Sequence, residues 1–390
     1  MGGKTVLVLG GGVGGLVVSV RLRKMLGREH RIILVDRKSR HEFAPSFLWV
    51  MTGWREPSRI SRELSLLGEK GIEYVNAEVS EIDPKNRVVK TGVRELGYDY
   101  LIIALGAELY PQALPGLSEA ALTPYSLEGA VALRDALKSF SGRRLALLVS
   151  SLPFKCPAAP YETALLLDCA FREKGVRDRV EMRIFTPEPF PMPTAGPEVG
   201  GAVRGVVEGR GIGFQPLVRP VSVDPAQREI AFESGRKERF DLLVAVPPHR
   251  SPAVIRTSPL ANEAGWIPVD GKTLRTREEN VFALGDVATI PLPGRYSPDT
   301  PLMLPKAGVF AHFQALAVAR NIATEIEGGR GEREFGGYGY CFMETGFGKA
   351  GIGRGNFYAE PHPAVRFGQP NRLWHWGKLL FEKWWLSYWF

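Results

Sequence analysis

The sequence is poor in cysteine and has no long uninterrupted run of apolar residues. Its 390 residues include three cysteines, Cys156, Cys169 and Cys341, and no CxxC pair. Three cysteines are too few for a disulfide-stabilised secreted domain, and without a CxxC pair neither a zinc ribbon nor a thioredoxin-like site is indicated. No stretch reaches the roughly 18 apolar residues that a membrane-spanning helix needs. These absences indicate a globular protein with room for two or three domains.

The sequence also lacks blocks of like charge. Its formal net charge is +8, but the basic residues are scattered along the chain, and we find no nucleic-acid-binding motif. We therefore predict no nucleic-acid partner, and a basic surface suited to an anionic substrate or membrane. The first predicted strand follows Lys4 without a charged and apolar leader before it, which predicts a location on the cytoplasmic side.

Buried strands alternate with helices along most of the chain, which predicts an α/β fold. We expect two Rossmann-like dinucleotide-binding domains and a C-terminal region that ends in an amphipathic helix. Residues 1–108 and 260–330 are assigned to the first domain, 109–259 to the second and 331–390 to the C-terminal region. Within this last region, a proline-containing connector at residues 361–370 is expected to precede the final helix.

A glycine-rich turn lies between the first predicted strand and the first predicted helix. Gly10, Gly12 and Gly15 form a GxGxxG fingerprint, with Gly14 in the same turn. The first glycine allows the tight turn, the second lets the backbone approach a pyrophosphate, and the third lets helix and strand pack closely. Asp36 ends the second predicted strand, where its carboxylate can accept hydrogen bonds from an adenosine ribose. The unit predicts a dinucleotide site.

Two further strand ends favour FAD over NAD as the ligand. The segment 282–286, which ends in Gly285 and Asp286, resembles the flavoprotein motif whose aspartate contacts the ribityl and phosphate part of FAD. The segment 100–106, which ends in Gly106, resembles the ATG motif of the same superfamily, with leucine in place of threonine. Together these resemblances imply FAD as the cofactor.

A second glycine fingerprint, which would bind a nicotinamide nucleotide, is missing. It is expected directly after the strand Leu145–Val149, yet residues 150–157 contain no glycine. Bulky side chains there would block the close approach of a pyrophosphate. We predict that the second domain has the fold without the NAD site, which disfavours an NADH:quinone reductase.

Four segments of the chain resemble the sulfide:quinone oxidoreductases and the related flavoprotein subunit of flavocytochrome c sulfide dehydrogenases. One is an early aromatic segment, two contain a cysteine, and one matches the segment at the flavin edge. The segments are residues 43–54, 156–162, 304–308 and 339–351. The resemblance extends over essentially the whole chain and implies a sulfide-oxidising flavoenzyme.

The resemblance assigns roles to four residues. Cys156 and Cys341 take the place of the paired redox cysteines beside the flavin. Since a disulfide is attacked by a thiolate or by HS⁻, sulfide would open a bridge between them, and two electrons would pass to FAD. Glu162 is the candidate acid/base for sulfide or thiol, and Lys306 would stabilise negative charge on the reduced flavin. Cys169, in an apolar helical stretch, is predicted to be a core residue.

The chain departs from the family in two places. No cysteine stands in residues 123–126, where many members have a third redox cysteine, and residues 190–194 lack histidines that some members carry near the sulfide channel. A two-cysteine site is closer to the flavocytochrome branch. Two alternatives to quinone reduction therefore stay open, namely a sulfide dehydrogenase flavoprotein that donates to a cytochrome, and a non-catalytic flavin-binding protein that attaches to a membrane or a partner.

The end of the chain is rich in tryptophan, with five of the eight in the last 17 residues. A polar stripe runs along the predicted final helix at helical spacing, and the other faces are bulky and apolar. Because tryptophan favours the membrane interface, we predict peripheral membrane attachment here, which favours quinone over cytochrome. Phe342 and Trp376 are candidates to line the quinone slot, and a homo-oligomer is possible. The stripe consists of Asn371, His375, Lys378 and Glu382.

Overall fold

The computed structural model describes residues 2–297 and 300–390. Nine α-helices lie in these residues, and they account for the long amphipathic and apolar segments of the sequence. They are α1 (Val13–Met25), α2 (Phe47–Met51), α3 (Leu117–Ala120), α4 (Leu127–Ser139), α5 (Ala159–Glu173), α6 (Pro197–Glu208), α7 (Ala253–Arg256), α8 (Gly308–Ile326) and α9 (Arg372–Tyr388).

The strands of the same residues are mostly short, and several have two or three residues only. In chain order they are β1 (Thr5–Leu9), β2 (Arg31–Asp36), β3 (Arg40–Glu42), β4 (Ser61–Glu63), β5 (Glu73–Asn76), β6 (Val79–Asp83), β7 (Val88–Thr91), β8 (Glu95–Gly97), β9 (Tyr100–Ile103), β10 (Glu108–Leu109), β11 (Ala121–Leu122), β12 (Arg144–Val149), β13 (Glu181–Phe185), β14 (Ile212–Gln215), β15 (Pro220–Asp224), β16 (Glu229–Phe232), β17 (Lys237–Arg239), β18 (Leu242–Val246), β19 (His249–Arg250), β20 (Ile267–Pro268), β21 (Val281–Ala283), β22 (Ala288–Thr289), β23 (Pro291–Ser297), β24 (Thr300–Met303), β25 (Tyr338–Gly346), β26 (Lys349–Asn356) and β27 (Ala364–Asn371).

Two five-stranded parallel sheets form the framework. The first has the order β21-β9-β1-β2-β5 and the second the order β11-β18-β12-β13-β14. Their central strands are continuous apolar runs with almost no exposed surface, as expected for parallel strands covered on both faces. The predicted α/β class with two Rossmann-like sheets is confirmed.

The C-terminal region is built on an antiparallel sheet of the order β25-β26-β27, against which α9 packs. The prediction of a connector at residues 361–370 is wrong for most of that segment, because β27 begins at Ala364 and pairs with β26. Pro361 and Pro363 precede β27, and Pro370 within it is tolerated because β27 is an edge strand, whose outer backbone groups need no partner in the sheet. Within the described ranges, no helix is both long and apolar enough to cross a membrane.

Candidate active site

The glycine turn after β1 has the geometry that a dinucleotide cradle requires. Gly10 has a φ of +101°, and a side chain there would overlap the carbonyl of Ala104. A side chain at Gly15 would overlap the carbonyl of Gly10, because α1 packs closely on the turn. Around Gly12, in contrast, an added Cβ would meet no heavy atom within 4 Å. The turn is thus packed behind and open in front, which fits the approach of a pyrophosphate.

The other predicted cofactor residues lie at the ends of strands in the same sheet. Asp36 ends β2, and its Oδ2 accepts a hydrogen bond of 2.5 Å from the backbone N–H of Gly11. Gly106 and Gly285 have φ values of +70° and +73°, so both turns need a left-handed residue. Burial raises the pKa of Asp286, against the opposing charges of the nearby lysines. This arrangement of turns and carboxylates fits FAD, although each of these assignments remains a prediction.

Lys306 connects the flavin-edge segment to the first cysteine. Its Nζ donates to the carbonyl of Asp286 at 2.5 Å and lies 3.5 Å from the centre of the Trp266 ring. Burial lowers its pKa to about 8, although Asp286 opposes the shift. The backbone N–H of Cys156 donates to the carbonyl of Lys306 at 2.6 Å. The first cysteine is therefore attached directly to the segment that carries the predicted flavin-stabilising cation.

The two predicted redox cysteines belong to one cluster of electrostatically coupled side chains, called the cysteine cluster below, which also contains Glu162 and Lys378. Cys156 precedes α5 and has a φ of +53°, whereas Cys341 lies on β25, which packs against α5. Burial raises the pKa of Cys156 well above its usual value, with the Cys341 thiol and Glu162 as further causes. Cys341 is exposed, and desolvation together with Glu162 raises its pKa to about 12. All three cysteines are free thiols.

Glu162 is a buried carboxylate of this cluster, and one of its oxygens accepts two hydrogen bonds. Its Oε1 accepts a hydrogen bond of 2.8 Å from the backbone N–H of Glu344 and one of 3.1 Å from Nζ of Lys378. Lys378 is also buried, and its Nζ lies 4.8 Å from the centre of the Trp49 ring. Burial alone would lower the pKa of Lys378, but the carboxylates of Glu162 and Glu344 outweigh it and raise the pKa.

A second acid–base pair, His375 and Glu344, lies beside the cysteine cluster. His375 Nδ1 lies 3.0 Å from both carboxylate oxygens of Glu344, which is completely buried. Burial raises the pKa of Glu344, while Lys378 and His375 oppose the shift. The sequence-based site did not include Glu344, His375 or Lys378. His375 and Lys378 belong to the predicted polar stripe of the final helix. The sequence did not show that this stripe faces the cysteines.

The final helix presents its polar stripe to the protein and an apolar stripe to the outside. Lys378 and Glu382 are buried, whereas Leu373, Trp376 and Leu380 are 79%, 63% and 64% exposed. The three exposed residues recur at helical spacing and so share one face. An exposed apolar face of this kind on a single helix is typical of an interaction surface.

The remaining predicted residues divide between this helix and the core. Phe342, next to Cys341 on β25, lies with its ring against α9, close to Gly377. Trp376 points away from the protein, so the two proposed quinone residues lie on either side of the same helical turn. Cys169 is buried in α5, where its sulfur accepts a hydrogen bond from the N–H of Phe347 at 3.3 Å. This packed position agrees with a structural role.

The fold and the cradle define a class of protein. The chain belongs to the pyridine nucleotide-disulphide oxidoreductase family, whose family model matches residues 4–151 and 161–308. Proteins of this family bind FAD, and the prediction of FAD as the cofactor is confirmed.

Particular relatives narrow the class. The chain is 28% identical to the sulfide-quinone reductase of Aquifex aeolicus over 400 residues, which cover 98% of this chain and 90% of the relative. It is 27% identical to the mitochondrial sulfide:quinone oxidoreductase of Mus musculus over 383 residues, or 93% and 80% of the two chains. The crystal structure of the Aquifex aeolicus enzyme superposes with a TM-score of 0.88 at 25% identity, covering 98% of this chain and 90% of that one. The chain is therefore a flavoenzyme similar to sulfide:quinone oxidoreductases, as predicted.

Proposed function

We propose that the protein oxidises sulfide at Cys156 and Cys341 and passes the electrons through FAD to a membrane quinone. The observation that carries this proposal is the coupled cluster of the two cysteines, Glu162 and Lys378, which a backbone hydrogen bond of Cys156 connects to the flavin-edge segment at Lys306. The similarity to sulfide:quinone oxidoreductases along nearly the whole chain supports the choice of substrate and acceptor.

The proposed oxidation of one sulfide begins with a disulfide between Cys156 and Cys341. HS⁻ attacks one sulfur, so that one S–S bond forms as the other breaks, leaving a persulfide on one cysteine and a thiolate on the other. Loss of two electrons and one proton from this pair joins the thiolate to the persulfide sulfur. When bound, FAD would accept these two electrons and pass them on to quinone. The ammonium group of Lys306 would stabilise the negative charge that the flavin gains in this transfer. Lys306 is joined to the cysteine loop by the hydrogen bond from Cys156 to its carbonyl.

Lys378 stabilises negative charge at the sulfur atoms, and Glu162 accepts a proton from them. Burial raises the pKa of both thiols and so disfavours the thiolate. The Lys378 ammonium opposes this shift and so favours the thiolate. Glu162, paired with Lys378, accepts the proton that sulfide or persulfide releases.

Anaerobic titration tests this function directly. We expect sulfide to bleach the flavin absorbance of the holoprotein near 450 nm at about one sulfide per FAD, as two-electron reduction requires. A soluble quinone should then restore the absorbance, and an NADH addition should leave it unchanged on the same timescale. Bleaching without reoxidation by quinone would favour a cytochrome acceptor, and a flavin that ignores sulfide would contradict the proposal.

We further propose that the outer face of α9 attaches the protein to a membrane, where the quinone is dissolved. The exposed apolar stripe, the tryptophans and the net charge of +8 support this location. Phe342, which lies against the inner side of the same helix, would then line the path between lipid and flavin.

Replacing Leu380 by glutamate should weaken this attachment. The change removes one leucine that would be inserted in the lipid and adds a charge in its place. It is expected to lower partitioning onto anionic vesicles by about tenfold or more. Vesicle flotation measures the effect. Leu217→Glu is the matched control, because Leu217 is 70% exposed but lies outside α9. Equal partitioning of both variants would contradict attachment through this face.

A further inference from the structure

A chain of buried hydrogen bonds joins the final helix to the glycine turn of the cofactor site. The indole N–H of Trp385 donates to Nε2 of His41 at 3.1 Å. The other ring nitrogen, Nδ1, lies 2.9 Å from the carbonyl oxygen of Gly11. Gly11 lies inside the GxGxxG turn, and its own N–H donates to Asp36. Residues 344 positions apart in sequence are thus in contact behind the proposed pyrophosphate cradle.

The hydrogen-bonding partners determine the proton on His41. An indole N–H can only donate, so Nε2 of His41 must accept. A carbonyl can only accept, so Nδ1 must carry the proton and donate it to Gly11. His41 is therefore a neutral ring in one tautomer, with both nitrogens satisfied. Such a ring is a rigid spacer of fixed length between α9 and the turn.

A second connection holds the same helix in place. The two carboxylate oxygens of Glu382 accept from Ser46 Oγ and from Arg55 Nε, the latter at 3.0 Å. Ser46 and Arg55 flank α2, the short helix that follows the strand carrying His41. The register of α9 against this segment is therefore fixed independently of Trp385, and His41 is held between the two.

We propose that Trp385 and His41 are positioning residues for FAD, through which the final helix fixes the shape of the glycine turn. Their hydrogen bonds hold the Gly11 carbonyl back toward α9, so that the front of the turn, around Gly12, stays open to the pyrophosphate. The residues touch the turn and not the open cradle in front of it. Their role is to maintain a conformation that binds FAD, which goes beyond the proposed sulfide chemistry and is independent of it.

The rate of FAD release tests this role without any sulfide. Trp385→Phe keeps an aromatic ring but removes the N–H, leaving Nε2 of His41 without its donor. We expect FAD to leave this variant about fivefold faster, as judged from the recovery of free-flavin fluorescence after dilution. The matched control is Trp389→Phe, since Trp389 lies one helical turn further on, is equally buried, and has an indole N–H without a partner among the described residues.

Two measurements separate positioning from general loss of packing. In a His41→Phe background, Trp385→Phe should add no further increase in the release rate, because the hydrogen-bond path is already broken. In the FAD-free protein both tryptophan variants should remain folded, and the melting temperature of Trp385→Phe should be lower than that of Trp389→Phe only by the loss of one buried hydrogen bond. If both tryptophan variants release FAD at the same rate, or if the effects of the His41 and Trp385 changes multiply, the positioning role is wrong.

Discussion

Replacement of either Cys156 or Cys341 by serine should abolish the bleaching of FAD by sulfide while FAD stays bound. A single cysteine offers no disulfide for HS⁻ to attack, so the reductive rate is expected to fall by about a thousandfold or more, the scale seen when a catalytic nucleophile is removed. Stopped-flow absorbance of the flavin measures the rate, and the bound FAD per protein serves as the check on folding.

Cys169→Ser is the matched control for the cysteine variants. Cys169 is a buried free thiol on α5, the helix that follows Cys156. Its sulfur accepts a hydrogen bond from the Phe347 N–H and donates one to Glu173 on the same helix. This variant should keep the wild-type rate of bleaching. If Cys156→Ser and Cys341→Ser also keep it, sulfide is oxidised without the cysteine pair, and the proposed mechanism is refuted.

Glu162→Gln is expected to slow reduction of the flavin by sulfide about a hundredfold, the usual size of general acid–base assistance. Glutamine preserves the shape and an oxygen that accepts from the Glu344 N–H and from Lys378, but it no longer takes up a proton. At higher pH, hydroxide in solution can take the proton that sulfide or the persulfide releases, so the reaction depends less on the base. The deficit of the variant should therefore shrink as the pH rises.

The control for this change lies on the same helix. Glu173→Gln alters a carboxylate that contacts Cys169 and does not belong to the cluster of Cys156 and Cys341. It should leave the rate and its pH profile unchanged. A rate for Glu162→Gln within twofold of wild type would show that Glu162 has a structural role only. A slower rate with the wild-type pH profile would also contradict proton transfer, since that is the effect of a distorted cysteine cluster.

The cofactor cradle was predictable because its requirements are local. Gly10 needs a left-handed turn and Gly15 needs close packing, and both conditions follow from a strand, a turn and a helix that lie between Thr5 and Met25. Asp36 ends the next strand, so its place at the same sheet edge follows from the βαβ connection alone. Sequence spacing was therefore sufficient to place these residues, although their contacts with FAD are still predictions.

The ionic part of the site was not predictable from the sequence, because it depends on which way a helix faces. A polar stripe on an amphipathic helix normally points to water, with the apolar face toward the core. In α9 the stripe points inward, since Lys378 finds a carboxylate on α5 and Glu382 finds Ser46 and Arg55. These partners are more than 200 residues away in sequence, and helical periodicity alone contains no information about them.

The uneven burial of the tryptophans on α9 provides a built-in optical signal. Trp376 extends into the surroundings, whereas Trp385 and Trp389 are enclosed by the protein. Acrylamide in solution would therefore quench the emission of Trp376 first. Insertion of this side chain among acyl chains would shift its emission to the blue and protect it from the quencher, so that docking can be followed in real time without an attached dye.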